Sequence, residues 1–184
     1  MNTKPYSKRE SRLKMYLLGF SLVELMVALV LSSVLLFLAL PTFQDWIAQT
    51  RLSTQSITLR NLLSTARSEA IKRSEPVRLC NANVLGQTCE STSLQGVQNW
   101  NNGLLLFVDK NDNRQLDAST DLLIKQIELE PSVQVQWNRG DSLSFLPTGR
   151  MDWGSNGTFT LTDNTRQETI KLVISIQGRV RMQD

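Results

Sequence analysis

A chain of 184 residues, 41% hydrophobic and 20% charged, can bury one modest core and has no room for two enzyme-sized domains. Its formal charge of +3 resides in the first 19 residues, where Lys4, Lys8, Arg9, Arg12 and Lys14 meet only Glu10; the remainder carries 15 basic and 16 acidic side chains, so any attraction for nucleic acid must come from a local patch. There is no histidine, which removes the commonest general base and neutral metal ligand, and the two cysteines are too few for a four-ligand zinc site.

Behind the basic leader, residues 20–40 form an apolar run with one ionisable side chain, Glu24. At ~1.5 Å per residue such a helix would cross a hydrocarbon core of about 30 Å, and the leader's charge would orient it. No small-residue cleavage site follows Leu40, so the run is expected to stay with the mature chain. Pro41 marks a bend or pause, after which Leu52, Leu59, Leu63, Ala66 and Ala70 recur at helical spacing, with Arg51, Gln55, Arg60 and Arg67 falling elsewhere. Pro76 disfavours helical geometry at the residue before it, so this amphipathic helix is expected to stop near Ser74. From Val77 the texture changes to short apolar or alternating runs between turn residues. Strands are predicted near 77–81, 103–109, 121–129, 133–137, 143–146, 157–162, 168–176 and 179–183. The fold class that results is α+β: a long N-terminal helix, with a transmembrane half over 20–40 and an amphipathic half over 41–74, packed on an all-β globular head over 75–184.

Within the head, Cys80 and Cys89 suit one disulfide, the alternative being two buried thiols. Asp109 to Asp117 has oxygen ligands at D-x-N-x-N-x-x-x-D spacing, but Arg114 stands where a calcium loop needs Gly and Thr120 where it needs Glu, so a polar turn is expected and no metal. Trp100, Trp137 and Trp153 are expected chiefly in core or edge packing, with base stacking as the minor reading. Near the C-terminus, Ile170, Leu172, Ile174, Ile176 and Val180 share one parity, which predicts a buried face, while Lys171, Arg179 and Arg181 share the other. If the strand runs straight through Gly178, the two arginine Cα atoms lie about 6.6 Å apart. Gly178 is equally compatible with a bulge or turn, and in either geometry the pair is a compact double cation. Arg139, Arg150 and Arg166 lie in or beside expected turns, and their distance from Arg179 is not legible in the sequence. No nucleophile and base pair, phosphate loop or metal set is present, so neither an enzyme nor a cofactor is expected.

Gly19-Phe20-Ser21-Leu22-Val23-Glu24-Leu25 resembles the prepilin peptidase motif of type IV pilins and type II secretion pseudopilins. The Arg67-Ser68-Glu69-Ala70 stretch, the two cysteines, Trp100 through Asp109 and the C-terminal strand are similar to the FimT/GspH family of minor pilins and pseudopilins, over nearly all of the chain from Gly19. The resemblance implies that residues 1–19 are a prepilin leader removed by prepilin peptidase between Gly19 and Phe20, with Phe20 N-methylated. It also implies that Glu24 pairs with the terminal amine of a neighbouring subunit, and that the chain is an inner-membrane, single-pass protein whose periplasmic head enters a pilus or pseudopilus. Periplasmic exposure favours the disulfide. In FimT-like members a Gly-Arg-x-Arg element is implicated in DNA binding during natural transformation, and Gly178, Arg179 and Arg181 match it, with Lys171 beside them. The implied partners are other pilin or pseudopilin subunits, the peptidase, the inner membrane and DNA, with no small-molecule substrate. The expected function is that of a minor type IV pilin that also binds DNA, or alternatively a minor pseudopilin of type II secretion.

Overall fold

The computed structural model describes residues 20–90 and 96–183. The expected leader over 1–19, and Gly19 with it, lies outside the described residues. The chain divides into two compact units at Pro41/Thr42.

Helix α1 runs Leu22–Arg73. It starts where Ser21 Oγ accepts the Glu24 backbone N–H at 3.2 Å, the first half of a Ser-x-x-Glu capping box. It ends with Lys72 and Arg73 favouring the negative end of the helix dipole, Ser74 at a positive φ of 57° and Pro76 behind it. The expected membrane span is overturned: among the described residues no helix is long and apolar enough to cross a membrane. Within the first part of α1, Glu24, Ser32 and Ser33 interrupt the apolar side chains. The transmembrane half of the predicted fold, the single-pass topology and the inner-membrane placement fall with it; the α+β class remains.

In the second unit, Leu52, Leu59, Leu62, Leu63, Ala66 and Ala70 are buried along one stripe of α1. Gln55, expected outside the stripe, is buried too, with its side-chain oxygen accepting the Glu130 N–H at 3.4 Å. The strands are β1 Val77–Asn81, β2 Gln98–Asn99, β3 Leu104–Val108, β4 Leu122–Ile127, β5 Val133–Trp137, β6 Ser142–Phe145, β7 Gly157–Asp163, β8 Thr169–Ile174 and β9 Val180–Gln183. Only β2 has no counterpart in the predicted set, because two residues carry no readable alternation.

They form two antiparallel sheets, ordered β4-β3-β1-β6 and β2-β5-β7-β8-β9. The first is buried on both faces near its centre. Leu104, Leu106 and Val108 join the main core with Val77 and Leu79, whereas Leu105 and Phe107 pack with Cys80 and Cys89 on the opposite face. That pattern explains why β3 is apolar throughout. The second sheet alternates: Val133, Val135 and Trp137 point inward, while Gln134 and Gln136 are half-buried. Trp100, Trp137 and Phe159 pack with ring centroids 4.3–6.3 Å apart, and Trp100 Nε1–H donates to the Gly140 carbonyl at 3.0 Å.

Candidate nucleic-acid interface

The C-terminal parity reading meets a hairpin rather than one straight strand. β8 and β9 pair through Val173 opposite Arg181 and Lys171 opposite Gln183. Between them, Ser175 N–H donates to the Arg179 carbonyl at 3.0 Å and Gly178 N–H to the Ser175 carbonyl at 2.8 Å. Gly178 takes φ 74°, which makes this a three-residue hairpin loop closed by a left-handed glycine. The parity survives the turn, since directly paired residues share a face: Lys171 and Arg181 are diagonal neighbours about 7 Å apart, with Arg179 at the loop exit. All three are exposed. On the other face Leu172 and Ile174 are buried, and Ile170, Ile176 and Val180 are half-buried against the core.

A second turn adjoins the first. Phe145 and Met151 form an antiparallel bridge around residues 146–150, and Met151 N–H donates to the Ile176 carbonyl at 2.9 Å. Arg67, on α1, donates from Nη1 to the Gly178 carbonyl at 3.3 Å. Gly149 and Gly178 meet back to back, and a Cβ on Gly178 would sit 2.4 Å from the Gly149 carbonyl oxygen. Arg150 is thereby fixed next to the Ser175–Arg179 loop. At the same end of the second sheet, Gly157 pairs with the buried Ile174, and a Cβ on Gly157 would meet Arg139 Cγ at 2.9 Å, which sets Arg139 by the opposite face of the sheet from Lys171 and Arg181. Of the three cations whose position the sequence left open, Arg150 is held next to the loop that carries Arg179, Arg139 lies by the other face of the sheet, and Arg166 is elsewhere. Arg166 pairs with Asp45 at 2.6 Å. Among the described residues Arg139, Arg150, Lys171, Arg179 and Arg181 form no ion pair with a carboxylate.

Of the remaining candidates, all but Trp153 serve the fold. Cys80 and Cys89 are joined in a disulfide. Trp100 and Trp137 are fully buried, whereas Trp153 is exposed. The Asp109–Asp117 loop is held by its own hydrogen bonds: Asp109 accepts from Arg78 Nε at 2.8 Å, and Asp117 accepts from the Asn111 and Asn113 side chains. Those amide donors hold the Asp117 carboxyl below its ordinary value. Among the described residues no group of three or more acidic, Cys or His side chains is placed to hold a metal ion. The Arg78–Asp109 ion pair, buried on both sides, is a contact the sequence reading missed, since nothing local links two residues 31 apart.

A family model described as type II transport protein GspH matches residues 55–178 of this chain. The chain belongs to the GspH family. The family consists of structural, non-catalytic pilin and pseudopilin subunits, and this chain is such a subunit. Two crystal structures of the type IV minor pilin FimU from Pseudomonas aeruginosa share its fold at 18% identity. One covers 72% of this chain and 92% of FimU with a TM-score of 0.51, and the other covers 74% and 90% with a TM-score of 0.53. A search of curated proteins gave no match. The family match ends at Gly178, one residue before the first arginine of the hairpin.

Proposed function

We propose that this GspH-family subunit serves as a minor pilin of a type IV pilus and binds DNA through the β8–β9 hairpin, with Arg179 and Arg181 as the principal contacts and Lys171 as a weaker one. The observation that carries the reading is the meeting of unpaired cations from separate turns: Lys171 and Arg181 share the exposed face of the hairpin, Arg179 stands at its loop exit, and Arg150, from a distant part of the sequence, is held next to that loop. Guanidinium groups contact phosphate oxygens bidentately and without regard to base sequence. Because the chain beyond residue 19 is nearly neutral, the field is local, and affinity is expected in the non-specific range of about 10⁻⁴ to 10⁻⁶ M. The test titrates DNA into the full chain, kept in mild detergent, at two salt concentrations. Arg179→Gln/Arg181→Gln should weaken binding and flatten the slope of log K against log salt by roughly 1.8. Equal binding by parent and variant, or no binding by the parent at low salt, sinks the DNA role.

The same reading includes maturation and assembly. The junction proposed for cleavage is Gly19-Phe20, supported by the basic leader before it and the apolar helix after it, and N-terminal sequencing of mature protein should begin at Phe20. Glu24 is exposed in the first turn of a helix whose side chains are apolar all round from Leu22 to Val30 apart from Glu24 itself and Ser21 just outside. Such a helix calls for packing partners, and a carboxylate enclosed by them needs a cation, which a neighbour's terminal amine would supply. Glu24→Ala should impair incorporation into filaments, and normal incorporation would refute this role. The family model's own description favours a second reading, a pseudopilin of type II secretion. Retention of secreted proteins in a deletion strain with intact pili would select it.

A further inference from the structure

Trp153 is 94% exposed. Its loop is anchored at both ends to the cationic hairpin: two residues before it, Met151 N–H donates to the Ile176 carbonyl at 2.9 Å, and four residues after it, Gly157 pairs with Ile174. At ~3.8 Å per residue the Trp153 Cα lies within about 8 Å of Met151, whose N–H is bonded to the Ile176 carbonyl of the loop that carries Arg179. The backbone beneath it is rigidly held. Asp152 N–H donates to the Ser144 carbonyl at 2.9 Å, Ser144 N–H to Ser155 Oγ at 3.1 Å, Ser155 N–H to the Asp152 carbonyl at 3.0 Å, and Trp153 N–H to Asp152 Oδ1 at 2.7 Å. Ser144 and Ser155 are themselves buried. A large apolar ring fixed in water in this way gains nothing for the fold, unlike Trp100 and Trp137 in the core.

We propose that Trp153 is a base-stacking platform beside the phosphate-binding cations, which directs the interface toward single-stranded DNA. This inference rests on the DNA-binding reading above. An indole face can stack on any unpaired base, while Arg150 and Arg179 on the flanking turns are placed for the adjoining phosphates. In a duplex the bases are already stacked on one another, so the ring has access only where strands are open.

The test compares the full chain, Trp153→Ala, Trp153→Phe and Arg179→Gln/Arg181→Gln for binding to three probes: oligo-dT, an abasic strand of the same length, and duplex DNA. Trp153→Ala is expected to weaken oligo-dT binding by about tenfold while leaving the abasic strand and the duplex unchanged, and Trp153→Phe to keep most of the parent's affinity. The double arginine variant should weaken all three. Unchanged oligo-dT binding by Trp153→Ala, with the parent still binding DNA, overturns the stacking role and leaves the cationic contact standing. Equal losses on all three probes overturn it as well, since stacking cannot act on a strand without bases. Failure of the parent to bind any probe overturns the DNA-binding reading itself and this proposal with it.

Discussion

Gly178 has both a backbone and a packing requirement. Its φ of 74° lies where a side chain is disfavoured, and a Cβ there would press on the Gly149 carbonyl oxygen, a backbone atom that cannot rotate away. Gly154 has a similar φ of 78° but open space around it. Gly154→Ala should therefore cost about 1–2 kcal/mol, the left-handed penalty alone, and Gly178→Ala more than about 2 kcal/mol. Urea unfolding of the two variants checks the ordering. The glycine of the Gly-Arg-x-Arg element is thus explained by the hairpin, independently of what the arginines bind. Arg78 is the other residue with a large expected effect. Its side chain and that of Asp109 are 4% and 0% exposed, so Arg78→Ala strands a buried carboxylate and should cost about 3–5 kcal/mol, read from the same unfolding curves.

Among the elements, the segment from Cys80 to Cys89 is pinned both covalently and by hydrogen bonds. Ala82 bridges to Cys89, Asn83 N–H donates to the Thr88 carbonyl at 2.8 Å, and Asn83 Oδ1 accepts from Gln87 N–H at 3.0 Å. The disulfide closes a loop of sequence separation 9, for which chain entropy accounts for about 2–3 kcal/mol. Thermal melting with and without reductant should show that loss, and an unchanged midpoint would mean that the bridge and turn already hold the segment. The β8–β9 hairpin depends on contacts outside itself. Its loop receives hydrogen bonds from Met151 and Arg67, so a change in either neighbour would move the arginines it displays.

On the scale of the whole head, one core cluster includes Leu52 to Ala70 of α1, Val77 to Val108 of the first sheet and Val133 to Ile174 from both sheets. Because helix and sheets share that cluster, they should unfold together. Leu63→Ala, at a fully buried helix position, is expected to cost about 2–5 kcal/mol and to lower the midpoint of a single transition seen by both helix and tryptophan signals. Separate transitions for the two signals would show that the helix packs on the sheets without sharing their cooperativity.

Most of the element boundaries were readable in advance because they follow from local physics. Pro76 limits the helix, two-residue alternation marks β5 and β7, and the five amphipathic positions named on α1 are all buried as expected. A membrane span was also read from local hydropathy, and there the described helix does not meet the length and apolarity a bilayer demands. The sequence by itself determined the α+β class, the buried stripe of α1 and the shared parity of Lys171 and Arg181, since each depends on neighbours a few residues away. Only the tertiary structure decided that Gly178 makes a turn, that Arg150 lies next to the loop of Arg179 while Arg166 goes to Asp45, and that Trp153 alone of the three tryptophans first considered stands in solvent. Those outcomes depend on which strand ends meet across the two sheets, and strand pairing between residues dozens of positions apart is set by the packing of the whole core, not by any local pattern.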